Sequence, residues 1–112
     1  MEFDVAHAGD HGAVLTPRGR LTMASAGELK ALVERTVAGG RTLVVVDLDQ
    51  TEFMDSSGLG ALVGGLRSAR TAGGDLRIAR AGDQVLTVLE LTTMDRVLRP
   101  HATVEEALDA AG

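Results

Sequence analysis

The chain has 112 residues, enough for one compact domain over 1–112 and too few for two. It is 45% hydrophobic and has no cysteine, so a globular fold must stand on packing alone, without disulfides or thiolate metal ligands. A net charge of −5 and an aromatic content of 2% argue against nucleic acid as a partner, because counterion release needs clustered Lys and Arg and single strands need stacking platforms.

The acidic start Met1-Glu2-Phe3-Asp4 is the reverse of a secretory signal, and no apolar run approaches the ~20 residues of a membrane span. A cytoplasmic protein without membrane contact is the expectation. Phe3, Val5 and His7 alternate with Glu2, Asp4 and Ala6, Gly9-Asp10-His11-Gly12 supplies a turn, and Ala13 to Leu21 is again extended, which predicts an antiparallel pair. Leu29, Leu32, Val33, Thr36 and Val37 recur at helical spacing, Ser25 and Glu28 suit a capping box, and Gly39-Gly40 stops a first helix over about 24–38.

Leu43-Val44-Val45-Val46 is a continuous β-branched run, the pattern of a strand covered on both faces, and is placed at the centre of the sheet. Asp47 to Asp55 reads as an acidic loop. Leu59, Leu62, Val63 and Leu66 mark a second helix that begins at Ser56 or Ser57 and ends at Gly73-Gly74. Leu76 to Ala79 is a short strand, Val85, Val88, Leu89 and Leu91 a third helix, Val97 to Arg99 an edge strand closed by Pro100, and Val104, Ala107 and Leu108 a last helix. The order ββαβαβαβα predicts an α/β fold, a mixed central sheet of about five strands with about four helices.

Chemistry concentrates between Val44 and Arg70, where a buried strand leads through an acidic loop into a helix start, the rim at which sites of open α/β sheets collect. That rim carries Asp47, Asp49, Asp55, Ser56 and Ser57. The serines can serve as helix caps. They can also carry a phosphate, whose charge helix-terminal N–H groups tolerate and Asp55 repels. Gly58, Gly60, Gly64 and Gly65 each cost about 1 kcal/mol against alanine in a helix, so they need a reason, either close packing or a flat stripe for a partner around Gly60 and Gly64.

Phe53-Met54-Asp55-Ser56-Ser57-Gly58-Leu59-Gly60, after a strand ending Asp47-Leu48, resembles the signature of the STAS-domain anti-sigma factor antagonists. Gly19-Arg20-Leu21, the Gly73-Gly74 turn before Leu76-Arg77-Ile78, and Thr103 before Glu105-Glu106-Ala107-Leu108 fit as well, so the resemblance covers essentially the whole chain. It implies a single STAS domain without enzymatic activity, cofactor or metal. The unphosphorylated form would bind an anti-sigma factor that is an ATP-dependent serine kinase, phosphorylation of Ser57 would release it, and a serine phosphatase would reset the switch. By the same resemblance Asp55, Ser56 and Thr22 form the neighbourhood of the phosphosite, and the helix glycines Gly58, Gly60 and Gly64, by their cost in a helix, are the candidate partner surface. Thr22 stands where the family often has an acidic residue, a departure that bears on how efficiently Ser57 is phosphorylated.

Other readings are weaker. A receiver domain needs an acidic pair after its first strand and a late lysine, whereas Lys30, the one lysine, lies in the first helix. A hard cation on Asp47, Asp49 and Asp55 is chemically feasible but competes with solvated carboxylates. His7, His11 and His101 form no motif with a nucleophile, and Ser57 lacks a Gly-x-Ser-x-Gly elbow. A STAS scaffold or small-ligand module without sigma control keeps the same fold and changes the partner.

Overall fold

The computed structural model describes residues 1–110. In chain order the elements are β1 (Glu2–Ala8), β2 (Gly12–Leu21), α1 (Met23–Ala38), β3 (Leu43–Asp47), β4 (Thr51–Met54), α2 (Ser56–Thr71), β5 (Asp75–Ala79), α3 (Asp83–Leu91), a 3₁₀ turn (Met94–Arg96), β6 (Pro100–His101) and α4 (Val104–Asp109). The sheet runs β1-β2-β3-β5-β6, with β4 on the far half of β2. Only β1 and β2 are antiparallel; every other pairing is parallel.

The β-branched run sits where its composition demands. β3 lies at the middle of the sheet, and Val44, Val45 and Val46 are all fully buried. Val44 and Val46 join the main core with Leu29 and Val33 of α1, Leu62 and Leu66 of α2, and Val85 and Leu89 of α3. Val45 points to the other face, where Ala79 and Ala107 bury with it under α4. At about 25 cal/mol per Å² of apolar surface, such aliphatic burial is the main force holding the layers together.

β2 does double duty. Gly12 to Leu15 pair with β3, and Gly19 to Leu21 pair with β4, with a register shift at Gly19/Arg20. Pro17 lies between the two ladders, where its missing N–H costs no pairing on that side, and Gly19 at φ +113° allows the bend.

Several expectations change in detail. The acidic loop Asp47 to Asp55 contains a sixth strand, because Thr51 to Met54 find a free edge on the far half of β2, whose Gly19 to Leu21 lie far back in the chain. The edge strand falls at Pro100–His101 and not at Val97 to Arg99: Ile78 and Ala79 pair with Pro100 and His101, and a proline is tolerated at the first position of an edge strand. In β1 only Phe3 reaches the core, while Val5 and His7, on the same face of the strand, remain exposed. Leu91 closes α3 but is exposed rather than packed. The capping box at the start of α1 is built on Thr22 and not on Ser25 with Glu28: the Thr22 N–H donates to Ser25 Oγ at 3.1 Å, and Ser25 Oγ donates to the Arg20 carbonyl at 2.8 Å.

Candidate functional site at the paired helix starts

The stretch Asp55-Ser56-Ser57-Gly58 is the cap and first turn of α2, and Asp55 and Gly58 each have a physical task in it. Asp55 is the cap, in extended conformation, with Oδ1 accepting from the Gly58 N–H at 2.9 Å. The cap is therefore this carboxylate and neither serine. Its Oδ2 accepts from the Met23 N–H at 3.3 Å, the first residue of α1, and its own N–H donates to the Leu21 carbonyl at 3.2 Å. One carboxylate thus ties together the positive ends of two helices, satisfying an orphan N–H on each.

Gly58 is buried, and a Cβ there would stand 2.3 Å from the Leu21 carbonyl oxygen and 2.9 Å from both the Leu21 and Met54 side chains. It is the glycine that lets the first turn of α2 lie flat on the ends of β2 and β4. Of the glycines expected at a partner surface, Gly58 faces inwards, Gly60 is exposed with nothing within 4 Å of its missing Cβ, and at Gly64 a Cβ would stand 3.3 Å from the Lys30 side chain. Gly65 packs between Leu76 and Val33. The glycines serve close packing at positions 58 and 65 and leave open surface only at 60.

With Asp55 and Gly58 fixing the turn, Ser56 and Ser57 occupy its first two positions. Ser56 is exposed and Ser57 half-buried. Neither serine's Oγ nor its N–H has a hydrogen-bond partner among the described residues, and Asp55 does not bond to Ser57. Thr22, the cap position of α1, neighbours Met23 and so belongs to the same rim. Met23 itself is 79% exposed, a large apolar side chain beside the serines. It lies off the Leu29, Leu32, Val33 stripe of its own helix, and that mismatch is the one sequence signal that could have singled it out.

Two more residues support this rim without any local signature. Gln84 of α3 clamps β4, its Oε1 accepting from the Met54 N–H at 2.8 Å and its Nε2 donating to the Met54 carbonyl at 2.9 Å. It completes the backbone pairing of the strand that delivers Asp55. Asp47 is not part of the serine rim. It shares the α4 face of β3 with Val45, is buried, and accepts from Arg80 through Nε at 3.0 Å and Nη2 at 2.6 Å. Those hydrogen bonds and the Asp47 charge raise the Arg80 pKa above its already high ordinary value. Asp49 stands 3.8 Å from the same guanidinium, so Arg80 faces two of the three carboxylates that a hard cation would need. No helix among the described residues is long and apolar enough to cross a membrane.

The STAS domain model matches residues 2–107. The chain belongs to the STAS domain family. A Thermotoga maritima protein named as a candidate anti-sigma factor antagonist is 29% identical over 101 residues, 89% of either chain. The crystal structure of the Thermotoga maritima protein tm1081, described in the same terms, superposes with a TM-score of 0.86 at 28% identity, covering 96% of this chain and 92% of that one. The anti-sigma factor antagonist SpoIIAA in its unphosphorylated form shares the fold, with a TM-score of 0.81 at 23% identity over 96% of this chain and 94% of that one. The STAS architecture expected from the Asp-Ser-Ser-Gly motif is therefore the architecture found.

Proposed function

We propose that this STAS domain is an anti-sigma factor antagonist without catalytic activity, acting in the cytoplasm, whose partner surface centres on Ser57 and is switched off by phosphorylation there. The observation that carries the reading is the state of Ser57: a half-buried serine on the first turn of α2 with a hydroxyl that no neighbour engages, beside the exposed Met23 and the open surface at Gly60. Among the described residues neither Ser56 nor Ser57 has a bonded hydroxyl, and what sets Ser57 apart is its half-buried place on the turn held by Asp55 and Gly58, where Ser56 is exposed.

A phosphate on Ser57 would meet the N–H groups of Ser56 and Ser57 and the positive ends of α1 and α2, so the fold can accept it. The nearby Asp55 carboxylate repels it but already accepts two N–H groups. Binding, not folding, is then what the charge disrupts. A hundredfold loss of affinity corresponds to about 2.7 kcal/mol, within reach of one unpaired charge in an interface. The reading is supported by SpoIIAA, a protein of the same fold whose structure is known in phosphorylated and unphosphorylated forms. The partner is an anti-sigma factor that is itself an ATP-dependent serine kinase, with a serine phosphatase restoring the binding form. Thr22 in place of an acidic residue leaves the α1 start without the negative charge the family often carries there, which alters the rate at which the kinase acts.

The test pairs mapping with affinity. Incubation with the cognate kinase and ATP, followed by phosphopeptide mapping, is expected to place phosphate on Ser57; phosphate on Ser56, or on neither, overturns the assignment. By calorimetry Ser57→Ala should bind the anti-sigma factor as the unmodified protein does, and Ser57→Asp about a hundredfold more weakly. Equal affinities would reject the charge mechanism.

A further inference from the structure

At the opposite end of α2 from Ser57, a recess of about 320 Å³ is lined by Arg70, Arg77, Arg96, Arg99 and His101 around one carboxylate, Asp75. Arg70 is in the last turn of the helix whose first turn holds Ser57, thirteen residues away, or roughly 20 Å along the axis. Nothing in the switch surface requires it.

The sheet assembles the recess. Ile78 pairs with Pro100 and Ala79 with His101, so Arg77 on β5 and Arg99, just ahead of β6, come to neighbouring positions on parallel chains. Asp75 holds two of the guanidiniums in place, with Arg70 Nε at 3.2 Å from Oδ1 and Arg77 Nε at 3.3 Å from Oδ2. Arg77 is fixed again through Nη1, which donates to the Ala107 carbonyl at 2.7 Å. Arg96 and Arg99 have no carboxylate or hydrogen-bond partner among the described residues. Four guanidiniums facing one carboxylate is a local inversion on a chain of net charge −5.

We propose that this recess binds a compact anion carrying two or more phosphoryl groups. Guanidinium forks match phosphate oxygens in paired hydrogen bonds, and two arms preset by Asp75 beside two exposed ones suit a ligand with two such groups. The volume lies at the small end of ligand sites, which fits a diphosphate. An extended polyanion is disfavoured, because the positive charge is confined to a recess and the chain as a whole is acidic.

Inorganic pyrophosphate is the probe. Titration of the isotopically labelled chain should give saturable amide shifts at Arg77, Arg99 and His101, with binding tighter than that of orthophosphate at matched ionic strength. Arg96→Ala and Arg99→Ala remove exposed side chains without a hydrogen-bond or ion-pair partner among the described residues, and each should weaken binding roughly tenfold with an unchanged melting temperature. Shifts that do not saturate, shifts confined to Ser56–Gly58, or an Arg96→Ala/Arg99→Ala double variant that binds as tightly as the parent would overturn the proposal.

Discussion

Asp55 at the head of one helix holds the backbone N–H of Met23 at the head of another, 3.3 Å from its Oδ2, while its Oδ1 caps Gly58 at 2.9 Å. The Asp55→Ala variant frees both donors and should lose about 1–2 kcal/mol of stability in urea denaturation. Asp55→Asn keeps one acceptor and should recover only the Gly58 cap, landing between the two. An alanine variant as stable as the parent would show that the tie between the helices carries no weight.

Gly58 and Gly60 stand two residues apart and should respond in opposite directions. A Cβ at 58 meets the Leu21 carbonyl oxygen, a backbone atom that cannot swing aside, so Gly58→Ala should cost about 3 kcal/mol. At 60 the Cβ meets nothing, and Gly60→Ala should stabilise by up to about 1 kcal/mol through helix propensity. Thermal melts of the two variants decide between packing and open surface at each position.

Met23 is expected to act on binding alone. Because its side chain is 79% exposed, Met23→Ala should change stability by less than about 0.5 kcal/mol. If it is an apolar anchor beside Ser57, affinity for the proposed anti-sigma factor partner should fall about tenfold, or about 1.4 kcal/mol. An unchanged dissociation constant would move the anchor elsewhere on the rim.

Arg80 joins two effects that a pair of substitutions can separate. It holds the buried Asp47, and it does so from a left-handed backbone at φ +56°. Both Arg80→Ala and Arg80→Gly lose the ion pair, but only glycine adopts that backbone without strain. The melting temperatures should therefore rank parent, then Arg80→Gly, then Arg80→Ala, and the reverse order of the two variants would rule out backbone strain at this position. Because Asp47 raises the Arg80 pKa, raising the pH through the neutral range should not release the pair from the arginine side.

Much of this molecule is written locally in its sequence. Val44-Val45-Val46 needs cover on both faces and can only be a central strand; Leu59, Leu62 and Leu66 repeat at helical period; and Asp55-Ser56-Ser57-Gly58 announces a helix start, since capping chemistry involves residues only three apart. These features need no knowledge of the rest of the chain. What the sequence left open depends on partners far along it. Thr51 to Met54 become a strand only because β2 outruns β3 and offers a second edge, and Gln84 becomes a backbone clamp only once α3 lies beside β4. The division of labour within the Asp-Ser-Ser-Gly turn was decided in the same way. Sequence marked four candidate residues at one helix start, and the approach of Leu21 and Met23 made Asp55 the tie and Gly58 the gap, leaving an exposed Ser56 and a half-buried Ser57 whose hydroxyls no described residue engages. Helix period and capping are properties of neighbours in sequence, whereas the free state of a side chain is set by everything that packs, or fails to pack, against it.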